Sequence, residues 1–193
     1  VMSHKPTLQE VSIRRVLDGH SFSEAERERL VKDAPAEVYI ASPKTTLLPA
    51  EIVGNATPDE WLRAAGYALG DDEVAICSAP NDGCVAVVAV SRLLAQTLAQ
   101  MPKVVVRSLL LLDTVAERGT VLTLYGGCLY VRYYDDGMRF ADVVEVASDA
   151  DICYYLQRID QVYNIYNIGV RITPENRALA ALCRRHFKRV ICE

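Results

Sequence analysis

Between Val121 and Val146 three β-prone runs are separated by two tight-turn signals, and this stretch constrains the fold more than any other. Val121 to Tyr125 is apolar and β-prone, and Gly126-Gly127 can supply the positive φ of a hairpin turn. Cys128 to Tyr134 alternates Leu129, Val131 and Tyr133 against Tyr130, Arg132 and Tyr134, the period-two pattern of a strand. Asp135-Asp136-Gly137 ends on Asp-Gly, the strongest short-range hairpin signal, and Met138 to Val146 follows as a third strand. Consecutive strands joined this tightly form an antiparallel meander. Its more aliphatic face is expected to meet helices, which leaves the Tyr130, Arg132, Tyr134 stripe nearer solvent or the rest of the chain.

After the meander the pattern changes period. Ser148 precedes Asp149 and Asp151, a cap followed by acids in the first turn, and Ile152, Tyr155, Leu156, Ile159 and Val162 then recur at helical spacing. Ile168 to Ile172 reads as a short strand. Thr173-Pro174-Glu175 reads as an N-cap, a first-position proline and a first-turn acid. Leu179, Leu182, Cys183 and His186 give that helix its inner stripe, and Arg189 to Cys192 closes as a strand. The order strand, strand, strand, helix, strand, helix, strand, with right-handed crossovers, is that of a ribonuclease-H-like half spanning residues 119–193.

Residues 8–118 carry a weaker version of the plan, a degenerate ribonuclease-H-like half. Val11 to Leu17 reads as a strand, and Asp18-Gly19 as a hairpin turn towards His20-Ser21-Phe22. Ser23 caps a charged stretch from Glu24 to Lys32, a short helix or a solvated loop. Strands are expected at Glu37–Ala41 and Thr45–Leu48, and a helix opening at Thr57-Pro58-Asp59 with Trp61, Leu62, Ala65 and Leu69. Glu73–Ala79 and Gly83–Val90 form a hairpin around Pro80-Asn81-Asp82-Gly83. Ser91 caps a helix through Gln100, Val104–Val106 is a strand, and Ser108 to Ala116 reads as a helix leading to a boundary near Arg118-Gly119. The fold class is therefore α/β, in two halves with mixed sheets.

Composition narrows the partners. Apolar residues make up 51% of 193, enough for a core, and the formal charge is −4. Binding to nucleic acid needs a basic face that the chain as a whole does not offer. The cluster Arg184, Arg185, His186, Lys188 and Arg189 reads as a solvated helix end favoured by the helix dipole. Six cysteines (Cys77, Cys84, Cys128, Cys153, Cys183, Cys192) are spread singly, and Cys183-x-x-His186 lacks the second half of a zinc site. Most sit in apolar runs as small hydrophobes, which suits a reducing compartment. Val1-Met2-Ser3-His4-Lys5-Pro6 shows no signal-peptide pattern, and no apolar run approaches twenty residues. The expectation is a cytoplasmic protein with no membrane and no nucleic-acid partner.

The ordered motifs carry a resemblance. Glu10-Val11-Ser12-Ile13, Leu17-Asp18-Gly19-His20-Ser21-Phe22-Ser23, Thr45-Thr46-Leu47-Leu48-Pro49 and Ala150-Asp151-Ile152-Cys153-Tyr154-Tyr155-Leu156 together resemble the actin-like ATPase superfamily. More narrowly, the chain looks like a bacterial family of that fold typical of Bacteroidales. Superfamily members duplicate a ribonuclease-H-like domain around a nucleotide cleft. The resemblance implies two phosphate hairpins carrying glycines and an acid, and a glycine pair at the adenosine. The glycines let backbone N–H groups approach the anion, and the acid positions magnesium or water. Asp18-Gly19 occupies the first turn, where it also reads as an ordinary hairpin turn. In the second, Leu122-Thr123-Leu124-Tyr125-Gly126-Gly127-Cys128 keeps the glycines, but Thr123, Leu124 and Tyr125 stand where the acid is expected. Thr173-Pro174-Glu175-Asn176 replaces the adenosine glycines.

Other chemistry is thinner still. Asp18, Asp113, Asp142 and Asp151 are the acids available to a two-metal nuclease, and turns and caps account for them. His4, His20 and His186 are the only histidines, and neither a Gly-x-Ser-x-Gly elbow nor a Walker loop occurs. Tyr125, Tyr130, Tyr133, Tyr134, Tyr154, Tyr155, Tyr163 and Tyr166 divide between core and surface, where tyrosine favours interfaces. No catalytic residue, metal ligand or cofactor is assigned. The expectation is a non-catalytic actin-like-fold interaction or scaffold module with a protein partner. The alternative is an actin-like ATPase with an atypical nucleotide site.

Overall fold

The computed structural model describes residues 13–20, 23–31, 36–101, 103–112 and 118–193. In chain order the elements are β1 (Ile13–Asp18), α1 (Glu24–Val31), β2 (Ala36–Ala41), β3 (Thr45–Pro49), α2 (Pro58–Ala64), β4 (Glu73–Cys77), β5 (Cys84–Ser91), α3 (Arg92–Ala99) and β6 (Val105–Ser108). They continue with β7 (Gly119–Tyr125), β8 (Cys128–Tyr134), β9 (Met138–Glu145), α4 (Asp149–Tyr163), β10 (Val170–Ile172), α5 (Arg177–Cys183) and β11 (Val190–Cys192). The architecture is α/β. A parallel sheet is ordered β1-β2-β6, an antiparallel one β3-β5-β4, and a five-stranded mixed sheet β11-β10-β7-β8-β9.

The meander forms as its turns predict. β7 pairs β8 from Gly119↔Tyr134 to Tyr125↔Cys128, and β8 pairs β9 from Cys128↔Glu145 to Tyr134↔Met138. Gly126, Gly127, Asp136 and Gly137 all take positive φ in its two turns. α4 starts where the cap predicts: Ser148 Oγ accepts from the Asp151 N–H, and the Asp151 carboxylate accepts from the Ser148 N–H. Ile152, Leu156 and Ile159 pack on Leu122, Leu129, Val131 and Tyr133, with Val170 and Ile172 beside them. Val162 does not join this stripe; it is 72% exposed, and Tyr163 takes the inner position against Tyr133 and Phe140.

In the N-terminal region β5 is the pivot. Val85 to Val90 are buried without interruption because both faces are covered. Ala86, Val88 and Val90 pack with Leu17, Val38, Ile40, Leu94 and Leu98, while Val87 and Ala89 pack with Leu62 of α2. α2 itself is fixed by a capping box between Thr57 and Glu60.

Several sequence expectations are corrected. Asp18-Gly19 is not a hairpin turn, because β1 runs parallel to β2. The Gly19 N–H donates to the Ala41 carbonyl at 2.8 Å and its own carbonyl accepts from Ser91 N–H at 2.7 Å, so the chain is clasped between β2 and β5. Ser108 ends β6 rather than opening a helix. Leu109–Leu111 form one 3-10 turn whose three leucines are all buried, and 113–117 lie outside the described residues. α5 starts at Arg177, capped by Asn176, because the Thr173 N–H still donates to Leu122 and carries the strand past Ile172. His186 is exposed and Phe187 fills the core place expected of it.

Of the two places expected for the Tyr130, Arg132, Tyr134 stripe, the structure shows the second. Tyr130 is 1% and Arg132 0% exposed, and only Tyr134 is partly open. The stripe faces the N-terminal region, not solvent. As the test of the clasp, a Cβ at Gly19 would lie 3.0 Å from the Ala89 carbonyl oxygen and 3.2 Å from that of Ala41. Both neighbours are backbone and yield only if strands move. Gly19→Ala is expected to cost about 1–3 kcal/mol, read as a lowered melting midpoint in denaturant.

Candidate functional site

The end of β1 and the turn between β7 and β8 meet. A Cβ built on Gly126 would stand 3.7 Å from Asp18 Oδ2. Between them lies a cavity of about 230 Å³ lined by Asp18, His20, Ala41, Pro43, Tyr125, Gly126, Cys128, Tyr130 and Glu145. The Asp18 and Gly126-Gly127 positions singled out in the sequence are thus brought together. Asp18 Oδ1 also accepts the His20 backbone N–H at 2.8 Å.

His20 is held from both sides. Its Nδ1 lies 2.9 Å from Glu73 Oε1 and its Nε2 3.1 Å from Ser42 Oγ. Glu73 Oε2 in turn receives Lys44 Nζ at 2.6 Å and the Gly70 N–H at 2.6 Å. Burial alone would raise the Glu73 carboxyl, but the Gly70 N–H, Lys44 and His20 outweigh it and hold it below the ordinary carboxylate range. Serine, histidine and glutamate in this order form the hydrogen-bond relay of a nucleophilic site. Two features argue against that chemistry. Ser42 is 1% exposed, and the next residue, Pro43, has no N–H to offer a developing oxyanion. The relay instead fixes the imidazole at the cavity rim with both ring nitrogens engaged by protein.

The described lining of the cavity is acidic. Asp18 and Glu145 are carboxylates, and none of the described lining residues is Lys or Arg. Burial pushes the Tyr125 and Tyr130 hydroxyls and the Cys128 thiol up, and the Asp18 charge adds to each, so all three stay protonated.

Next to the cavity the described residues form a core. Tyr39, Ala41, Leu109, Leu110, Cys128, Tyr130 and Val143 form one apolar cluster joining β2 and the leucine turn to β8 and β9. Arg132 lies beside it, donating Nη1 to the Leu112 carbonyl at 2.7 Å and Nη2 to Thr123 Oγ1 at 2.9 Å, with Nε unpartnered. Burial drives its guanidinium down to about 10. Thr123 passes its own proton to the Thr173 carbonyl at 2.7 Å. The segment standing where an adenosine turn is expected is therefore tied to the sheet.

The remaining sequence candidates are dispersed. Asp142 accepts from the Tyr155 hydroxyl on α4, and Asp151 serves the capping box. His186 lies at the far end of α5, and His4 and Asp113 fall outside the described residues. Among the described residues no three of His, Cys, Asp and Glu stand where they could hold a metal ion. Sequence reasoning missed Ser42, Lys44, Glu73 and Glu145, which enter from separate elements without any local motif.

No model of a protein family matches the sequence, and no curated protein matches it. Among solved structures, a Bacteroides thetaiotaomicron protein with actin-like ATPase fold and unknown function matches over 88% of this chain and 75% of its own, with a TM-score of 0.66 at 12% identity. The cytoplasmic domain of EpsL, an inner membrane component of the type II secretion system of Vibrio cholerae, matches over 76% of this chain and 64% of its own, with a TM-score of 0.42 at 17% identity. The first likeness shows that the chain has an actin-like ATPase fold.

The Glu73 relay carries a pH signature. A carboxyl depressed in the folded state contributes stability above its unfolded value and loses it as pH falls through the folded one. Glu73→Gln should cost about 1–3 kcal/mol at neutral pH, and the deficit should shrink as pH falls below about 4, in paired denaturant titrations.

Proposed function

We propose that this chain is a non-catalytic actin-like-fold protein, an interaction or scaffold module whose ligand is another protein. The observation that carries the reading is the apolar cluster of Tyr39, Leu109, Leu110 and Tyr130, which packs β2 and the leucine turn against β8 beside the Asp18–Gly126 cavity. The cavity in front of it, about 230 Å³, is smaller than the roughly 300–1,000 Å³ of ordinary ligand sites and is lined by two carboxylates. On this reading residues 119–193 are a ribonuclease-H-like half and residues 8–118 a degenerate one, in a bacterial protein of the Bacteroidales type. Six free thiols support a reducing, cytoplasmic setting. No described helix is long and apolar enough to cross a membrane.

One observation favours a second reading, an ATPase with an atypical site: Asp18 does face the Gly126-Gly127 turn. Calorimetric titration with ATP and magnesium separates the two. The expected result is no heat of binding up to millimolar nucleotide. A micromolar dissociation constant that Asp18→Ala abolishes would establish the second reading.

With the Tyr130 stripe buried, the most exposed large apolar side chains among the described residues are Tyr154 and Val162 on α4, ahead of Val16 on β1 and Val105 on β6. Tyr154 is 62% exposed and, with Val162, borders a groove of about 380 Å³ that also includes Phe140, Tyr155, Arg158 and Tyr163. Tyr154→Ser with Val162→Ser is expected to leave stability within about 0.5 kcal/mol, as surface changes do. Tyr130→Ala should cost about 3–5 kcal/mol as a core truncation. Equal losses in thermal melts would show that the α4 face is not a free surface.

A further inference from the structure

Away from the cavity, α4 and α5 bring a thiol and an imidazole together. Cys153 Sγ lies 3.8 Å from His186 Nε2, within sulfur hydrogen-bond reach. Cys153 is half-buried on α4, and His186 is exposed in the turn after α5. The imidazole is oriented: its ring stacks on Tyr166 with centroids 5.4 Å apart and planes at 24°. Tyr166 is itself held, its N–H donating to Asp160 Oδ1 at 2.8 Å and its carbonyl accepting from the Lys188 N–H at 3.0 Å. His186 is flanked in sequence by Arg184, Arg185, Lys188 and Arg189, all exposed. A partly exposed cysteine beside a base and among cations is the setting in which thiols become nucleophiles.

The other described cysteines mark the contrast. Cys183 is buried under α5, and burial, with the nearby Cys153 sulfur, pushes its thiol up to about 12. Cys128 is in the core. Cys77 is the most open of the six, yet burial of its sulfur raises its thiol and no base is recorded beside it.

We propose that Cys153 is a reactive-thiol site, modified by small disulfides that carry negative charge, with His186 as proton acceptor. In the exchange, the Cys153 S–H proton passes to His186 Nε2 and the sulfur attacks one sulfur of the disulfide. A protein–small-molecule S–S bond forms as the original S–S bond breaks. The departing thiolate then takes the proton back from the imidazolium, so the products are a mixed disulfide and one free thiol, and no outside oxidant is required. The basic run attracts an anionic disulfide and stabilises the departing anion.

Cys77 supplies an internal reference, since it is the more exposed residue and has no described histidine contact. The full chain is treated with limiting 5,5′-dithiobis(2-nitrobenzoate), a dianionic disulfide, and with neutral 2,2′-dithiodipyridine, and the labelled cysteine is identified by peptide mass spectrometry. Cys153 is expected to react first, about tenfold faster than Cys77, below the roughly 10²–10⁴-fold of a well-positioned base, in keeping with a contact as long as 3.8 Å. His186→Ala should bring the Cys153 rate down to that of Cys77 while Cys77 itself is unchanged. Raising the salt concentration should slow the dianionic reagent more than the neutral one. Because His186 is exposed the variant is expected to fold, which its melting curve checks. The proposal is overturned if Cys77 reacts first, or if a folded His186→Ala variant labels Cys153 at the original rate.

Discussion

The burial of one face of β8 against the N-terminal region organises the rest of the molecule. Tyr130 and Arg132 stand on that face, and both are removed from water. Taking a guanidinium out of water costs several kcal/mol unless its donors are met. Here the Leu112 carbonyl and the Thr123 hydroxyl meet two of them, while Nε has no partner. The cost is tolerated because the surrounding contact is apolar and extensive: Tyr39 from β2, Leu109 and Leu110 from the turn after β6, and Val143 from β9 close around Tyr130. The same cluster fixes where β1 ends relative to the β7–β8 turn, and therefore how little space is left between Asp18 and Gly126.

Much of the C-terminal sheet is legible in the sequence because its determinants are local. Asp136-Gly137 and Gly126-Gly127 take positive φ, the strands between them alternate, and Ser148 with Asp151 closes a capping box. What local pattern does not encode is which distant strand becomes a neighbour. Asp18-Gly19 has the composition of a hairpin turn, yet β1 finds β2 in parallel, and Gly19 is needed because two backbones close on it. Parallel pairing is settled by the packing of Leu17, Val38 and Ile40 under β5, which only the assembled core supplies. Alternation likewise shows that Tyr130 and Arg132 share a face but not what covers it. Amphipathic side chains of this kind serve as core as readily as surface when the polar end finds a partner. At helix ends the helical period itself fails: α5 stops at Cys183, so the inward place after it falls to Phe187, not His186.

The cavity shows the same division. Asp18, Tyr125 and Gly126 were visible as turn residues, but Ser42, Glu73 and Glu145 come from the end of β2, the start of β4 and the end of β9. Their convergence depends on His20, whose two nitrogens reach Glu73 and Ser42 across separate sheets. A relay of this composition suggests catalysis on distance alone. Accessibility and oxyanion donors argue against it, because Ser42 is enclosed and Pro43 withholds the N–H that follows most nucleophiles. The relay ties the antiparallel sheet to the parallel one through Glu73.

A closed interior moves the available chemistry outward, and α4 is the element best placed to carry it. Its inner stripe and cap are fixed by the meander, and the Tyr155 hydroxyl donates to Asp142 on β9, so the helix is anchored along its length. Burial and the adjacent Asp142 carboxylate both push the Tyr155 hydroxyl up, which keeps it a proton donor across the physiological range. Two adjacent positions on this anchored helix then differ in what they meet. Tyr154 faces the aromatic groove, and Cys153 reaches the imidazole beyond α5. Cys153 borders the core on the side of α5 while Tyr154 borders the groove, because adjacent residues on a helix do not face each other, so the thiol and the groove are two separate features of one anchored helix.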